Sequence, residues 1–227
     1  MLCSDGRRVT IGMEHKKLLI FDFDGVIIDS MQLAFTNAAS VHPSLTWEMY
    51  QNVTHKKTPA EARKEYEHLH IDETKEEKEE RTKKYTITKL EKAQVHSGMK
   101  EVLKMLGDEY ILALNTNSGK ERTIPLLEKH NLKKFFKIIL TIEDAQSKTE
   151  KSENIMSELG IDPANAIYIT DATSDVMEAE EAGMQSIGVT WGIHERRHFK
   201  DSEISDSVID VVDSPDELLD SIKDHFS

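Results

Sequence analysis

Short apolar runs alternate with amphipathic segments along most of the chain. The first run, residues 17–21, is apolar on both faces and ends in the motif Asp22-Phe23-Asp24-Gly25, as is typical of a buried parallel strand. Further runs of this kind predict strands at 110–117, 136–141, 166–171, 186–191 and 208–212. Because helical patterns separate these runs, the sequence predicts an α/β fold with a doubly wound parallel sheet.

The stretch between the first two predicted strands has a different pattern. No strand pattern occurs between about residues 30 and 94, which predicts an all-helical insertion. Thr58, followed by Pro59 and Glu61, has the features of a helix start. Residues 72–92 are rich in Glu and Lys, and they predict a solvated helix with i,i+4 ion pairs.

The chain therefore divides into three predicted parts. Residues 1–16 form an N-terminal extension, residues 17–30 and 95–227 form the core, and residues 31–94 form the helical insertion. The extension is polar and mixed, so either Met13 is the true start or the leader is an appended arm. A third reading makes Arg8–Ile11 an added edge strand.

Composition limits the class of protein. The net charge of −13 argues against nucleic acid or an anionic membrane as the main partner. No apolar run approaches the roughly 20 residues of a membrane span. With Cys3 as the single cysteine and no apolar signal core, we expect a cytoplasmic protein without disulfides, either monomeric or homodimeric.

Polar side chains follow several of the predicted strands. Asp22 and Asp24 follow the first strand and can point the same way from an extended chain. The other polar groups at strand ends are Thr116, Asn117, Asp171 and Asp175, together with Lys148 in a predicted loop. Since the carboxyl ends of parallel strands share one edge of the sheet, we expect these groups to converge there.

This set of groups suits phosphoryl transfer. Carboxylates bind Mg²⁺, and a lysine with the metal offsets the charge of a phosphate group. One carboxylate can then attack phosphorus, while a second protonates the leaving alkoxide and activates water. A purely structural metal site is the alternative, although it gives Lys148 and Thr116 no role.

Four stretches of this chain resemble the four motifs of the haloacid dehalogenase (HAD) superfamily. They are Asp22-Phe23-Asp24-Gly25-Val26, the strand ending in Thr116-Asn117, Lys148, and Asp171-Ala172-Thr173-Ser174-Asp175. The helical insertion resembles the cap of the phosphoglycolate phosphatase and β-phosphoglucomutase branch. The resemblance implies a Rossmann-like core with an inserted helical cap.

The resemblance also implies a role for each site residue. Asp22 would be the nucleophile and a metal ligand, and Asp24 the acid/base, with its backbone carbonyl on the metal. Thr116 and the N–H of Asn117 would bind the transferring phosphate, and Lys148 would bridge that phosphate and Asp22. Asp171 would ligate Mg²⁺, and Asp175 would support the metal shell. An acid/base Asp at position 24 disfavours dehalogenation.

Two positions depart from the family pattern. Thr170 stands where Gly usually precedes the first Asp of the fourth motif, and its side chain either crowds the metal edge or is accommodated by the turn. Pro usually follows the motif lysine, whereas Thr149 does here, which leaves Lys151 as an alternative to Lys148.

The insertion is expected to select the substrate by closing over the site. His55, Lys56 and Lys57 are its candidates for binding a second anionic group, with a solvated basic turn as the alternative. Basic residues that follow the strand ending at Trp191 are expected either on the same rim or in a surface loop: His194, Arg196, Arg197 and His198.

The expected function is a Mg²⁺-dependent phosphatase that acts on a small phosphorylated metabolite through an aspartyl-phosphate. A phosphosugar mutase of the same superfamily is one alternative, and it would protect its phosphoenzyme from water. A catalytically weak member that binds a ligand or a partner is another, and Thr170 is its only support.

Overall fold

A computed structural model describes residues 17–57, 61, 64–65, 67–69 and 71–226. Its strands are β1 (Leu18–Phe21), β2 (Ile28–Asp29), β3 (Gln94–Val95), β4 (Ile111–Asn115), β5 (Ile138–Leu140), β6 (Ala166–Thr170), β7 (Gln185–Val189) and β8 (Val208–Val212). Six of these strands form one parallel sheet in the order β5-β4-β1-β6-β7-β8, while β2 and β3 pair antiparallel. The predicted doubly wound parallel sheet is confirmed.

Helices connect these strands. In the described part of the chain the α-helices are α1 (Met31–Ala39), α2 (Trp47–Thr54), α3 (Lys75–Lys92), α4 (Met99–Glu109), α5 (Lys120–Lys129), α6 (Lys148–Leu159), α7 (Thr173–Glu181), α8 (Arg196–Phe199) and α9 (Pro215–Phe226). None of the described helices is long and apolar enough to cross a lipid bilayer.

Strand β1 lies at the centre of the sheet, and the order of the strands reverses on its two sides. Phe21 near its end is level with Leu114 of β4 on one side and Ile169 of β6 on the other. Residues that follow β1, β4 and β6 therefore meet at one edge, at the switch point where open α/β sheets place their sites.

Both faces of the sheet are buried. All four side chains of β1 are fully buried because helices cover the sheet from either side. Leu19 and Phe21 pack into one core cluster, and Leu18 and Ile20 pack into the other, as the two-residue repeat of a strand requires. This central strand is therefore held on both faces, which gives the residues after it a fixed position.

The insertion lies between the two strands of the β2–β3 ribbon. Its described part includes α1, α2, a short 3₁₀ turn (Glu67–Leu69) and α3, and residues 61, 64 and 65 are also helical. Thr74 starts α3 with a reciprocal capping box to Glu77. Most of α3 is exposed, as predicted, but Lys89 is 1% exposed, so the interpretation of a wholly solvated helix is wrong at that position.

One local prediction is wrong, and two fall outside the described residues. Lys148 was predicted to lie in a loop, but it is the first residue of α6, with Ser147 as the N-cap of that helix. The predicted extension 1–16 and the residues of the predicted helix start, Thr58 to Ala60, lie outside the described residues.

Candidate active site

Asp22 directly follows β1 at the sheet edge and is only 6% exposed. Its Oδ1 accepts hydrogen bonds from the N–H of Phe23 at 2.7 Å and from Nζ of Lys148 at 2.9 Å. Burial raises the pKa of Asp22 to about 7, with the charge of Lys148 opposing the shift and the charge of Asp175 adding to it. Asp22 is thus a buried carboxyl group whose protonation depends on the charges of Lys148 and Asp175.

Lys148, the first residue of α6, joins two carboxylates. Its Nζ lies 2.9 Å from Oδ1 of Asp22 and 2.6 Å from Oδ2 of Asp175. Burial by itself lowers the pKa of Lys148, but the charges of Asp175 and Asp22 outweigh burial and hold that pKa well above its ordinary value. The lysine therefore stays an ammonium ion between the two acids.

Lys151 lies one turn further along α6 and has different contacts. Its Nζ donates to the carbonyl oxygen of Thr116 at 2.6 Å and to Oδ1 of Asn117 at 2.8 Å. Burial, together with the charge of Lys148, lowers the pKa of Lys151 to about 8. Of the two lysines that the sequence left as alternatives, Lys148 is the one in contact with Asp22, while Lys151 supports the loop after β4.

Thr116 and Asn117 lie in that loop, immediately after β4. Thr116 is buried, its N–H donates to the carbonyl of Leu140, and its Oγ1 accepts the N–H of Ser118. Asn115, the last residue of β4, donates from Nδ2 to the carbonyl of Lys148. The loop after β4 and the start of α6 are therefore fixed to one another.

Asp171 follows β6 and is 1% exposed. Its Oδ2 accepts the N–H of Ile193 at 2.8 Å. Burial, reinforced by the charge of Asp22, raises the pKa of Asp171 well above its ordinary value. Gly25 and Gly192 both border its side chain, since a Cβ at either position would lie within 2.2 Å of Oδ2. Asp171 thus occupies a slot that only glycine on both sides leaves open.

Asp175 lies in the first turn of α7 and has two strong partners. Besides Lys148, its Oδ2 accepts a hydrogen bond from Oγ1 of Thr170 at 2.7 Å. Oγ1 of Thr170 in turn accepts the N–H of Ala172 at 2.9 Å. The side chain of Thr170 is therefore accommodated within the turn, where it orients Asp175.

Asp24 is reached from the insertion, a contact that the sequence analysis did not anticipate. Nζ of Lys89 lies 2.5 Å from Oδ1 and 2.7 Å from Oδ2 of Asp24, and Oγ of Ser30 also donates to Oδ1. Burial raises the pKa of Asp24, but the charge and hydrogen bonds of Lys89 and the bond from Ser30 lower it by more. The available signal was that Arg81, Tyr85 and Lys89 recur every four residues on one face of α3.

Residues 55–57 occupy two different places. His55 contacts Oγ1 of Thr173 and Oδ2 of Asp201, and Lys56 pairs with Asp201 and Glu203, so both residues join the insertion to the core. Lys57 lines the cavity described below and pairs with Glu65 at 2.7 Å.

The basic residues after Trp191 do not line the cavity, although the N–H of His194 donates to the carbonyl of Asp171 at 3.2 Å. His194 is buried beside His55, with ring centroids 5.8 Å apart, and burial lowers the pKa of His194 to about 3. The ring of His198 lies beside those of His55 and His194, with centroid distances of 5.2 and 5.0 Å. Arg196 pairs with Asp213, and Arg197 pairs with Glu195.

A cavity of about 830 Å³ opens over the carboxylates, between the core and the insertion. The predicted site residues that line it are Asp22, Asp24, Thr116, Asn117, Lys148, Asp171 and Asp175. Residues of the insertion also line the cavity, among them Tyr50, Arg81, Tyr85 and Lys89. The groups predicted at separate strand ends thus share one cavity.

The donors present suit a hard cation, although no three acidic, imidazole or thiol side chains of the described residues form a complete metal centre. Mg²⁺ is commonly held by one or two carboxylates, with water and substrate phosphate completing its shell. Asp22 and Asp171 are buried carboxylates whose charges act on each other, and with Asp175 they outnumber the ammonium of Lys148. A divalent cation fits this excess of buried negative charge.

Comparison with known proteins agrees with this geometry. The chain is 35% identical over 132 residues to a protein named probable phosphatase IndB from Dickeya dadantii, a match that covers 55% of this chain and 57% of that protein. It is 32% identical over 84 residues to a phosphoglycolate phosphatase from Salmonella typhi, with 36% of this chain and 33% of that protein covered. The matches therefore span about half or less of these relatives.

A solved structure and a family model extend the comparison. A haloacid dehalogenase-like family hydrolase from Streptococcus pneumoniae superimposes with a TM-score of 0.70 and 20% identity, over 92% of this chain and all of that one, which shows the shared fold. The model of the family described as haloacid dehalogenase-like hydrolase matches residues 19–189. Since this range includes every strand-end motif of the cavity, the chain belongs to the haloacid dehalogenase-like hydrolases.

Proposed function

We propose that this protein is a Mg²⁺-dependent phosphatase that hydrolyses a small phosphorylated metabolite through an aspartyl-phosphate on Asp22. The strongest support is that Lys148 forms ion pairs with both Asp22 and Asp175. These three residues and Thr116 line the same cavity. The names of its relatives, phosphatase and phosphoglycolate phosphatase, support the same reaction class.

In the first step a carboxylate oxygen of Asp22 attacks phosphorus. The bond from phosphorus to the leaving oxygen breaks, its electron pair stays on that oxygen, and Asp24 donates the proton that this oxygen needs. Thr116 and the N–H of Asn117 hold the other phosphate oxygens, and Lys148 offsets their charge. The position of Asp22 in the lining of the cavity supports this role.

In the second step water attacks the phosphorus of the aspartyl-phosphate. Asp24, now a carboxylate, takes a proton from the water as the Asp22–phosphorus bond breaks, which regenerates the Asp22 carboxylate and releases inorganic phosphate. The ammonium of Lys89 and the hydroxyl of Ser30 hold the Asp24 carboxylate in place, in the form that takes a proton from water. Each proton given in the first step is thus recovered in the second.

Asp22, Asp171 and the backbone carbonyl of Asp24 would hold the metal. When bound, Mg²⁺ supplies positive charge that stabilises the transferring phosphoryl group. Asp175 would support this arrangement by holding Lys148, with which it is already paired at 2.6 Å.

Addition of Mg²⁺ to metal-free protein is expected to raise the melting temperature. The cation offsets the excess of buried carboxylates, and binding at 100 times its Kd stabilises the fold by about 2.7 kcal/mol, or about 5–10 °C for a chain of this size. Differential scanning calorimetry measures this shift without any assay of activity. The Asp171→Asn variant is expected to lose most of it, and an equal shift in that variant would contradict the assignment of Asp171.

Thr170→Val is expected to cost about 1–3 kcal/mol of folding free energy, because it leaves Asp175 and the N–H of Ala172 without the hydroxyl. Urea denaturation measures the loss, and kcat is expected to fall as Asp175 and Lys148 lose their alignment.

Thr123→Val is the matched control for Thr170→Val. Thr123 is fully buried in α5, and its hydroxyl has no hydrogen-bond partner among the described residues. Its replacement is expected to be neutral or stabilising. Equal losses in the two variants would show that Thr170 contributes only its bulk.

A screen of phosphorylated metabolites, with Mg²⁺ and with EDTA, tests the proposed function directly. We expect Mg²⁺-dependent release of inorganic phosphate from p-nitrophenyl phosphate and faster release from the preferred metabolite. Absence of turnover across the panel, with Mg²⁺ bound, would favour the ligand-binding alternative. A phosphoenzyme that resists water and transfers its phosphoryl group to a sugar phosphate would instead favour the mutase.

A further inference from the structure

The one lysine of α3 that reaches the reacting groups is Lys89. Its side chain is 1% exposed, although α3 is otherwise rich in exposed Glu and Lys. Nζ lies 2.5 and 2.7 Å from the two carboxylate oxygens of Asp24 and donates to Oγ of Ser118 at 3.1 Å. It also lies within 6.0 Å of the ring centroids of Phe23 and Tyr85. The ammonium is thus enclosed by groups from both the core and the insertion.

A buried ammonium is costly unless its charge is paired and its protons are donated. Lys89 meets this requirement through Asp24, and Asp24 gains a partner on each of its oxygens. Oγ of Ser30, the residue directly after β2, also donates to Oδ1. The Asp24 side chain, still 21% exposed, therefore has a fixed orientation where it lines the cavity.

Lys89 belongs to the insertion, whereas Asp24 belongs to the core. Their contact therefore forms only when α3 is seated on the core, as it is here. Arg122 of α5, in the core, also donates to Oγ1 of Thr86 in α3 at 3.2 Å, so a second hydrogen bond joins the insertion to the core. The orientation of Asp24 consequently depends on the position of α3.

We propose that Lys89 is a positioning residue, which fixes the orientation of the Asp24 carboxylate so that it can take a proton from the water that attacks the aspartyl-phosphate. This rests on the proposed function, in which Asp24 gives a proton to the leaving oxygen and later takes one from water. Lys89 forms no bond to substrate in this role. Displacement of a reacting group by about 1 Å can cost about 100-fold in rate.

p-Nitrophenyl phosphate separates the two steps. Its leaving group departs without a proton, so formation of the aspartyl-phosphate needs little from Asp24, whereas attack by water still needs Asp24 as a base. With protein in excess, release of p-nitrophenolate reports formation and release of inorganic phosphate reports breakdown.

In the Lys89→Met variant we expect p-nitrophenolate release to stay within about threefold of wild type, and phosphate release to slow by about 100-fold. A phosphorylated protein should then accumulate, visible by intact-protein mass spectrometry. Lys89→Arg can still donate hydrogen bonds to both carboxylate oxygens, so its rate of phosphate release is expected to be at least a tenth of the wild-type rate. If Lys89→Met does not fold, Lys89→Gln serves for the same measurement, since it keeps a donor and loses the charge.

Lys83→Met is the matched control, because Lys83 is an exposed residue of the same helix, and it is expected to behave as wild type. Equal slowing of both products in Lys89→Met, or a raised KM with unchanged kcat, would overturn the proposal and assign Lys89 to substrate binding or to general stability. Absence of any Asp22-dependent release in wild type would overturn the proposed function itself, and with it the role of Lys89.

Discussion

Asp22→Asn is expected to lower the hydrolysis of p-nitrophenyl phosphate by a factor on the order of 10⁶ while the protein stays folded. The carboxamide has nearly the same shape as the carboxylate, so it can still accept the hydrogen bonds of Phe23 and Lys148. It cannot form the acyl phosphate, because its oxygen is a poor nucleophile and its charge is lost. Phosphorylated protein should therefore be absent from this variant by mass spectrometry.

The fold is expected to tolerate this change. Asn at position 22 weakens the pair with Lys148, but it also removes a charge that Asp175 and Asp24 repel. These effects oppose each other, so the melting temperature should stay within about 4 °C of wild type, which corresponds to roughly 1 kcal/mol.

Asp108→Asn is the control for the chemical step, since Asp108 is an exposed residue of α4 that does not line the cavity. Its activity should equal that of wild type. Turnover in Asp22→Asn that approaches the rate of Asp108→Asn would eliminate Asp22 as the nucleophile.

Gly192→Ala is expected to lower the apparent affinity of the protein for Mg²⁺ by about 10–100-fold. A Cβ at position 192 would lie 2.2 Å from Oδ2 and 2.3 Å from Cβ of Asp171, closer than atoms can approach. Asp171 cannot retreat toward Gly25, where the opposite wall of the slot lies just as near. The carboxylate must therefore rotate and lose the N–H of Ile193, at a cost of about 1–3 kcal/mol for overpacking.

The measurement for Gly192→Ala is activity as a function of Mg²⁺ concentration, together with the thermal shift on metal addition. Gly160→Ala provides a control with a comparable loss of stability. Gly160 ends α6 with φ of +64° and has no atom within 4 Å of a built Cβ, so alanine costs about 1–2 kcal/mol there without touching the site. An unchanged Mg²⁺ dependence in Gly192→Ala would show that Asp171 does not ligate the metal.

Much of the sheet could be predicted because its strands are apolar on both faces. The run at 17–21 and the run at 166–171 have few alternatives to a buried parallel strand, and both lie beside each other in the sheet. The start of α6 was harder to predict. Lys148 and Thr149 are polar residues that resemble a loop, and their burial arises from tertiary contacts that local sequence does not encode.

Some residues of the candidate site could likewise be predicted from the sequence, and others could not. Strand-end carboxylates could be predicted to meet because sheet topology brings them together, as Asp22 and Asp171 show. Lys89 was missed among the many Lys and Glu residues of α3, because composition does not reveal which face of a polar helix is buried and only its four-residue spacing from Tyr85 and Arg81 pointed to it. The role of Thr170 was also out of reach, because it depends on a hydrogen bond to Asp175 across the turn.

The β2–β3 ribbon has a further consequence for how this protein can change. Ile28 pairs with Val95 and Asp29 with Gln94, so the chain leaves the core and returns to it at adjacent points. Residues 30–93 could therefore be exchanged for another segment, or shortened to a turn, without breaking a strand of the six-stranded sheet. Any segment exchanged for residues 30–93 would have to supply its own partners for Asp24, because Ser30 and Lys89 both lie within the stretch that would be replaced.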